Sequence, residues 1–379
     1  MAGATQSVWA VSIVVPEECL NQLARSGIGD GLETEGFSNT FQLPMMGPVT
    51  LEVGMTITGV SFEMRSEHPE RLLATIRAAG SVAFVGENPM PALPGLARVR
   101  GEVLVAPVVE LHRDGSFRAV LDLANSELVG MTLEGIDGVA ADAVAQVQMS
   151  EMLFAAVGGD LFLGLADQLG SVGIELDAEQ SLPIVELGVR PGRAEVRVTD
   201  GTLVIGLPGV DDLDGHADVV DVSGNRVGVG LASESLSVLC ARVASDAIGG
   251  PLPWELGVDT TERRLGASVR SPRLIESTRL PDLRSTLRAT LRPRLVGSEI
   301  EIGLREAWIE LPSIVPSVVN RLNRWVGGAA ARAPLTVRIP ATRELPVRPD
   351  SETMMEVAVT SIDVADHGVT ATFDLSWAE

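Results

Sequence analysis

The chain has 379 residues, 45% of them hydrophobic, with a formal net charge of −22 and a pI of about 4.6. That much apolar material excludes a disordered chain and suffices for two or three domains. A polyanion is repelled by phosphate backbones, so nucleic acid is not expected as a partner.

In chain order, the first residues lack the positive n-region of a secretory signal, and the apolar run Val8–Val15 is broken by Ser12 and stopped by Pro16. No run of about 18 uncharged apolar residues follows, so no transmembrane segment is expected and the cytoplasm is the expected location. Val11–Val15 reads as a short strand. It leads into a helix whose first turn carries Glu17 and Glu18, where the helix dipole favours acids, and whose Leu20 and Leu23 share one face. The glycines at 27, 29 and 31 close that helix. They follow a helix rather than a strand and so do not make a dinucleotide fingerprint. Period-two alternation then marks strands: Val49, Leu51, Val53, Met55 and Ile57, then Val60, Phe62 and Met64, later Val99–Val105 and Phe117–Leu123. A second helix is expected from Ser150 to Leu169 with Leu153 on its apolar side, and Val196–Ile205 supplies closing strands. Gly206–Asp218 concentrates Gly, Pro and Asp as a linker does.

The chain then resembles its own beginning. Val227–Leu239 lies over Val11–Leu23 without a gap, placing Leu231 on Val15, Glu234 on Glu18, Leu236 on Leu20 and Leu239 on Leu23. Alternating strands follow at Leu287–Leu295 and Glu299–Leu304, with Pro293 suited to an edge or bulge. A helix is expected over Pro312–Val326, with Val318, Leu322 and Trp325 on its apolar stripe, and closing strands at Val357–Ile362 and Gly368–Leu375. The expected organisation is a first module at 1–205, a linker at 206–218 and a second module at 219–379. The expected fold class is α+β, each module a long, strongly twisted antiparallel sheet with one or two long helices.

This order of elements, carried best by Val11–Leu23 and Val227–Leu239, resembles the tubular lipid-binding (TULIP) superfamily, including its bactericidal/permeability-increasing-protein-like and SMP-like modules. The resemblance implies two elongated modules, in each of which a curved sheet wraps around a helix and leaves an apolar cleft for a lipid or other long hydrophobic ligand. The chain departs from the secreted members, lacking a signal peptide and a cysteine pair in each module, and so resembles a bacterial cytoplasmic member. On this resemblance the cleft is expected to be lined by Leu20, Leu23, Met55, Ile57, Phe62, Leu153, Leu236, Leu239, Val318, Leu322 and Trp325.

Little in the sequence points to catalysis. Cys19 and Cys240 lie far apart in apolar surroundings, and two cysteines make neither a disulfide framework nor a zinc site, although a single bridge between them stays open. His68, His112, His216 and His367 have no metal-ligand spacing, and no nucleophile elbow occurs. Asp211–Asp218 offers carboxylates to Ca²⁺ but lacks the spacing of a calcium loop, and reads as a solvated linker. Arg263, Arg264, Arg270, Arg273, Arg279, Arg284, Arg288, Arg292 and Arg294 make one basic region, read as the wet face of strands balanced by the acidic first half. The expected function is therefore binding, with no catalytic residue and no cofactor. A lipid or hydrophobic small molecule is the expected partner. The alternative is a scaffold with filled cores that binds a protein.

Overall fold

A computed structural model describes residues 9–28, 31–33, 37–43, 47–86, 96–123, 125–137, 166, 171–177, 187–209, 216–248, 250, 255–261, 264–270, 286–310, 319–321, 323–324, 327–328, 336–346 and 354–377. The alternating segments form antiparallel strands in four sheets, none of which closes on itself among the described residues. Among the described residues antiparallel strands predominate over helices.

The central sheet has seven strands and takes members from both ends of the chain. β1 (Trp9–Pro16) lies beside β13 (Thr202–Pro208) on one side and β14 (Arg226–Ala232) on the other. β12 (Glu195–Thr199) flanks β13, while β22 (Gly368–Trp377), β21 (Met354–Val364) and β20 (Thr342–Pro346) follow β14. β1 runs into α1 (Glu17–Ile28) and β14 into α2 (Ser233–Ile248), so the two matching sequence segments are both strand–helix units. The two strands pair antiparallel with Ile13 opposite Val229. Those two residues also coincide when Val227–Leu239 is laid on Val11–Leu23, so the similar segments meet about a local two-fold relation.

The described ends of the segment between the halves are built into the central sheet. β13 continues to Pro208, with Gly206 paired to Ser12 and Leu207 to Val11. Gly206 is required there, since a Cβ would lie 2.1 Å from the Trp9 ring. Past the undescribed residues, the Ala217 N–H donates to the Trp9 carbonyl at 2.8 Å, and Ala217 is buried against Trp9 and Ala232. Ser12 Oγ donates to the Asp218 carbonyl at 2.6 Å, and a Cβ on Gly230 would lie 2.0 Å from that same oxygen. Part of the expected linker is thus strand and part packs on the central sheet. The carboxylates weighed for Ca²⁺ lie outside the described residues except Asp218.

The first-half sheet comprises β2 (Leu32–Glu33), β4 (Gly47–Glu63), β5 (Leu72–Gly86), β6 (Leu96–Val105) and β9 (Glu127–Asp137), with β3 (Phe37–Leu43) hairpinned onto β4. The apolar phase of β4 changes between Ile57 and Val60. The structure places a register shift between Ile57 and Gly59, and this bulge keeps both stretches facing the core. A smaller sheet is built from β10 (Ser171–Leu176), β8 (Phe117–Asp122), β7 (Pro107–Leu111) and β11 (Gly192–Arg193). The second-half sheet runs β15 (Glu255–Thr261), β16 (Arg264–Arg270), β17 (Thr286–Val296), β18 (Glu299–Glu310) and β19 (Thr336–Pro340). Pro293 lies beyond Leu291, the last β17 residue paired with β16, so its missing N–H costs no ladder bond on that side.

Helices protect strand edges in both halves. Asn21 of α1 accepts the Phe62 N–H at 2.6 Å and donates to its carbonyl at 2.9 Å. Ser237 of α2, the position matching Asn21, accepts the Val258 N–H at 2.6 Å and reaches the Val258 carbonyl at 3.1 Å. Asn323, on a helical stretch near the β18 end, accepts the Ile309 N–H at 2.5 Å. Each polar side chain satisfies strand backbone that would otherwise be an unpaired edge.

Candidate functional site

The two halves carry the same alternation but bury it differently. In the first half, cross-strand rows such as Phe62–Ala74–Val103 and Ile57–Ala78–Val99 are buried throughout. They belong to the largest apolar cluster, whose buried members all lie between Ala10 and Leu207. In the second half, apolar cross-strand rows are Leu256–Val269–Leu287–Ile309 and Val258–Ala267–Ala289–Ala307. Directly opposed residues in an antiparallel ladder project to one face, so these rows make an apolar surface across four strands. Only Val258 of these eight is buried, and Leu287 is 40% exposed. Among the described residues, this is an apolar sheet face without a filled core on it.

The opposite face of the same sheet is polar and carries cross-strand ion pairs. Arg288 lies 2.9 Å from Glu310 across the strands, and Arg270 lies 3.5 Å from Glu255. Glu301 is buried and held between Arg294, which donates to it, and Arg338 at 3.5 Å. A buried carboxylate persists because such partners surround it. The described arginines of the basic region, Arg264, Arg270, Arg288, Arg292 and Arg294, lie on strands, and Arg263, Arg273, Arg279 and Arg284 lie outside the described residues. The acids paired with Arg270, Arg288 and Arg294 are cross-strand neighbours rather than a distant acidic half.

At the Glu255, Arg270, Thr286 and Glu310 end of this sheet, a cleft of about 780 Å³ opens beside the helical stretch that carries Val319 and Asn323. Its wall includes both ion pairs together with Ser268, Trp308 and Ile309. The Trp308 indole N–H donates to Glu310 Oε1 at 3.3 Å. A smaller cleft of about 220 Å³ lies on the first-half sheet beside Arg100, Glu102 and Met131.

The residues expected to line an apolar cleft fall in three groups. Met55, Ile57 and Phe62 are buried in the first-half core, and Leu20 packs at its margin. Leu23 and Leu236 are half-buried on their helices. Leu153, Val318, Leu322 and Trp325 lie outside the described residues, as does the side chain of Leu239. The helix expected at Ser150–Leu169 is described only at Ala166, which is helical and buried. Among the described residues, none of those expected to line the cleft lines either cleft. Sequence reading passed over Leu256, Val269 and Ile309 as site residues. The Leu287–Leu295 alternation was the available signal, but it marks a face without saying whether anything covers it.

Other polar groups have structural roles. His68 and His112 sit in turns, as expected: the His112 carbonyl accepts the Gly115 N–H at 3.0 Å. His216 Nδ1 accepts the Trp9 N–H at 3.1 Å. Cys19 and Cys240 are free thiols. Burial pushes the Cys19 thiol up to about 11, and Cys240, on the exposed side of α2, is raised by partial desolvation. No helix is long and apolar enough to cross a membrane among the described residues.

No family model matches the sequence, and no curated protein matches it. Three solved structures are similar in outline, each 11% identical to this chain. A lipopolysaccharide binding protein superimposes with a TM-score of 0.32, covering 98% of this chain and 100% of its own. P47 from Clostridium botulinum A2 gives 0.34 over 99% and 83%, and P47 of Clostridium botulinum E1 gives 0.39 over 97% and 98%. At this degree of superposition the likenesses assign no function.

Proposed function

We propose that this protein holds a lipid or another long hydrophobic molecule on the open apolar face of the second-half sheet, and that it acts by burial rather than catalysis. The observation that carries the reading is the contrast between the halves: apolar cross-strand rows are sealed in one and, apart from Val258, only partly buried in the other. Exposed apolar area of this kind is a standing cost in water, and an apolar guest removes it at roughly 25 cal/mol per Å². We also read the chain as two related TULIP-like modules that meet at β1 and β14. The support is the pairing of Ile13 with Val229 and the shared edge clamp of Asn21 and Ser237. In this reading the filled first half serves as scaffold, which retains part of the alternative.

Uptake of cis-parinaric acid, a fluorescent fatty acid, tests the reading. Saturable fluorescence enhancement is expected, and Leu287→Asp, which places a charge on the open face, abolishes it while far-UV circular dichroism stays unchanged. Enhancement that is absent in the wild type, or unaffected by charges at both Leu287 and Val269, overturns it.

A further inference from the structure

We propose that the cleft on the polar face of the second-half sheet is a second site, one that takes a neutral polyhydroxylated ring: a saccharide, free or as the head of a glycolipid. Its polar wall belongs to the face opposite the apolar rows, with Leu256 and Ile309 of those rows also lining it, and the ligand class follows from the polar wall rather than from the hydrophobic-ligand reading.

Charge decides the ligand class. Among the described residues the wall presents Arg270 and Arg288 together with Glu255 and Glu310, so its cations and anions balance. An anion bound there meets two carboxylates, and a cation meets two guanidiniums. A hydroxyl instead both donates and accepts, so adjacent hydroxyls on a ring match a guanidinium beside a carboxylate, donating to one and accepting from the other. The cross-strand pair of Arg288 and Glu310 offers that arrangement at 2.9 Å.

Trp308 supplies what a sugar needs besides hydrogen bonds. It stands directly across from Arg288 in the ladder, and its N–H is tied to Glu310 Oε1, which fixes the indole beside the ion pair. A flat aromatic surface next to charged donors and acceptors suits a ring with a C–H face and a hydroxyl rim. The hydroxyl of Ser268, opposite Gly257 in the ladder, adds a further polar group in the wall. The volume, about 780 Å³, falls in the range of small-molecule sites and admits one or two sugar rings.

The test follows the Trp308 indole N–H resonance in ¹⁵N-labelled protein, assigned with Trp308→Phe. Methyl glucoside, methyl galactoside, methyl mannoside and N-acetylglucosamine are titrated separately, with inorganic phosphate and choline as charged controls. At least one sugar is expected to shift the resonance saturably, with affinity about tenfold or more weaker in Arg288→Ala, as loss of a charge-assisted hydrogen bond implies. Should Arg288→Ala not fold, Glu310→Gln is the substitute, and it also weakens binding. Phosphatidylcholine vesicles with and without a galactosyl diacylglycerol separate the two sources. A shift confined to glycolipid vesicles assigns a lipid head, and one seen with the soluble glycoside assigns a free saccharide. The proposal is overturned if no sugar or glycolipid moves the resonance, or if phosphate or choline moves it more strongly.

Discussion

Truncating one leucine in each half measures how differently the two sheets are filled. Leu72 is 0% exposed in the first-half core, whereas Leu287 keeps 40% of its surface on the second-half apolar face. Leu72→Ala removes buried methyl groups and leaves a cavity that packed neighbours cannot close, a loss of about 3–4 kcal/mol. Leu287→Ala forgoes little more than half the transfer energy of a buried leucine, about 1 kcal/mol, and creates no enclosed void. Urea unfolding provides the assay, with hydrogen-exchange mass spectrometry of β5 and β17 peptides to attribute each transition to its half. The predicted costs differ by roughly threefold. Equal losses would mean that the second-half face is packed core, and the binding proposal would then lose its basis.

Four further outcomes follow from named contacts. Asn21→Ala strips both partners from the Phe62 backbone and is expected to cost about 2 kcal/mol in urea unfolding, with Ser237→Ala similar in direction because it frees Val258. Gly230→Ala drives a Cβ against the Asp218 carbonyl and is expected to destabilise by about 3 kcal/mol, read as a lower unfolding midpoint. In native protein a disulfide-exchange reagent is expected to titrate Cys240 first, while Cys19, buried and raised to about 11, reacts only after unfolding. The Asp200 carboxyl is held below its ordinary value by the Ser66 N–H, which donates to it at 2.8 Å. A folded value below the unfolded one stabilises above the unfolded pKa and is lost as pH falls. Ser66 amide protection in hydrogen exchange should therefore decline below about pH 4, and Asp200→Asn should remove that acid dependence.

Local chemistry made much of the fold legible. Both strand–helix units follow from an apolar strand, a break, acids in the first turn and leucines on one helix face. The bulge in β4 is written in the sequence as the slip from Ile57 to Val60. Gly206 misled, because glycine signals a turn and a close approach alike. Here a Cβ at Gly228 would meet Val220, and one at Gly206 would meet Trp9, so these are packing positions in central strands. The candidate site was less legible. Met55, Ile57 and Phe62 have the same alternation as Leu287 and Leu291, and period-two patterning names a dry face without stating what covers it. The second cleft depends on the register that sets Arg288 opposite Trp308, a long-range pairing that neither residue's neighbours reveal.

Native mass spectrometry of the purified protein, followed by organic extraction, tests the central claim most directly. The account predicts a stoichiometric hydrophobic adduct that extraction releases and that Leu287→Asp lacks, while a Leu72→Ala variant retains it. A clean unliganded mass, with no uptake from a mixed lipid pool, would contradict it.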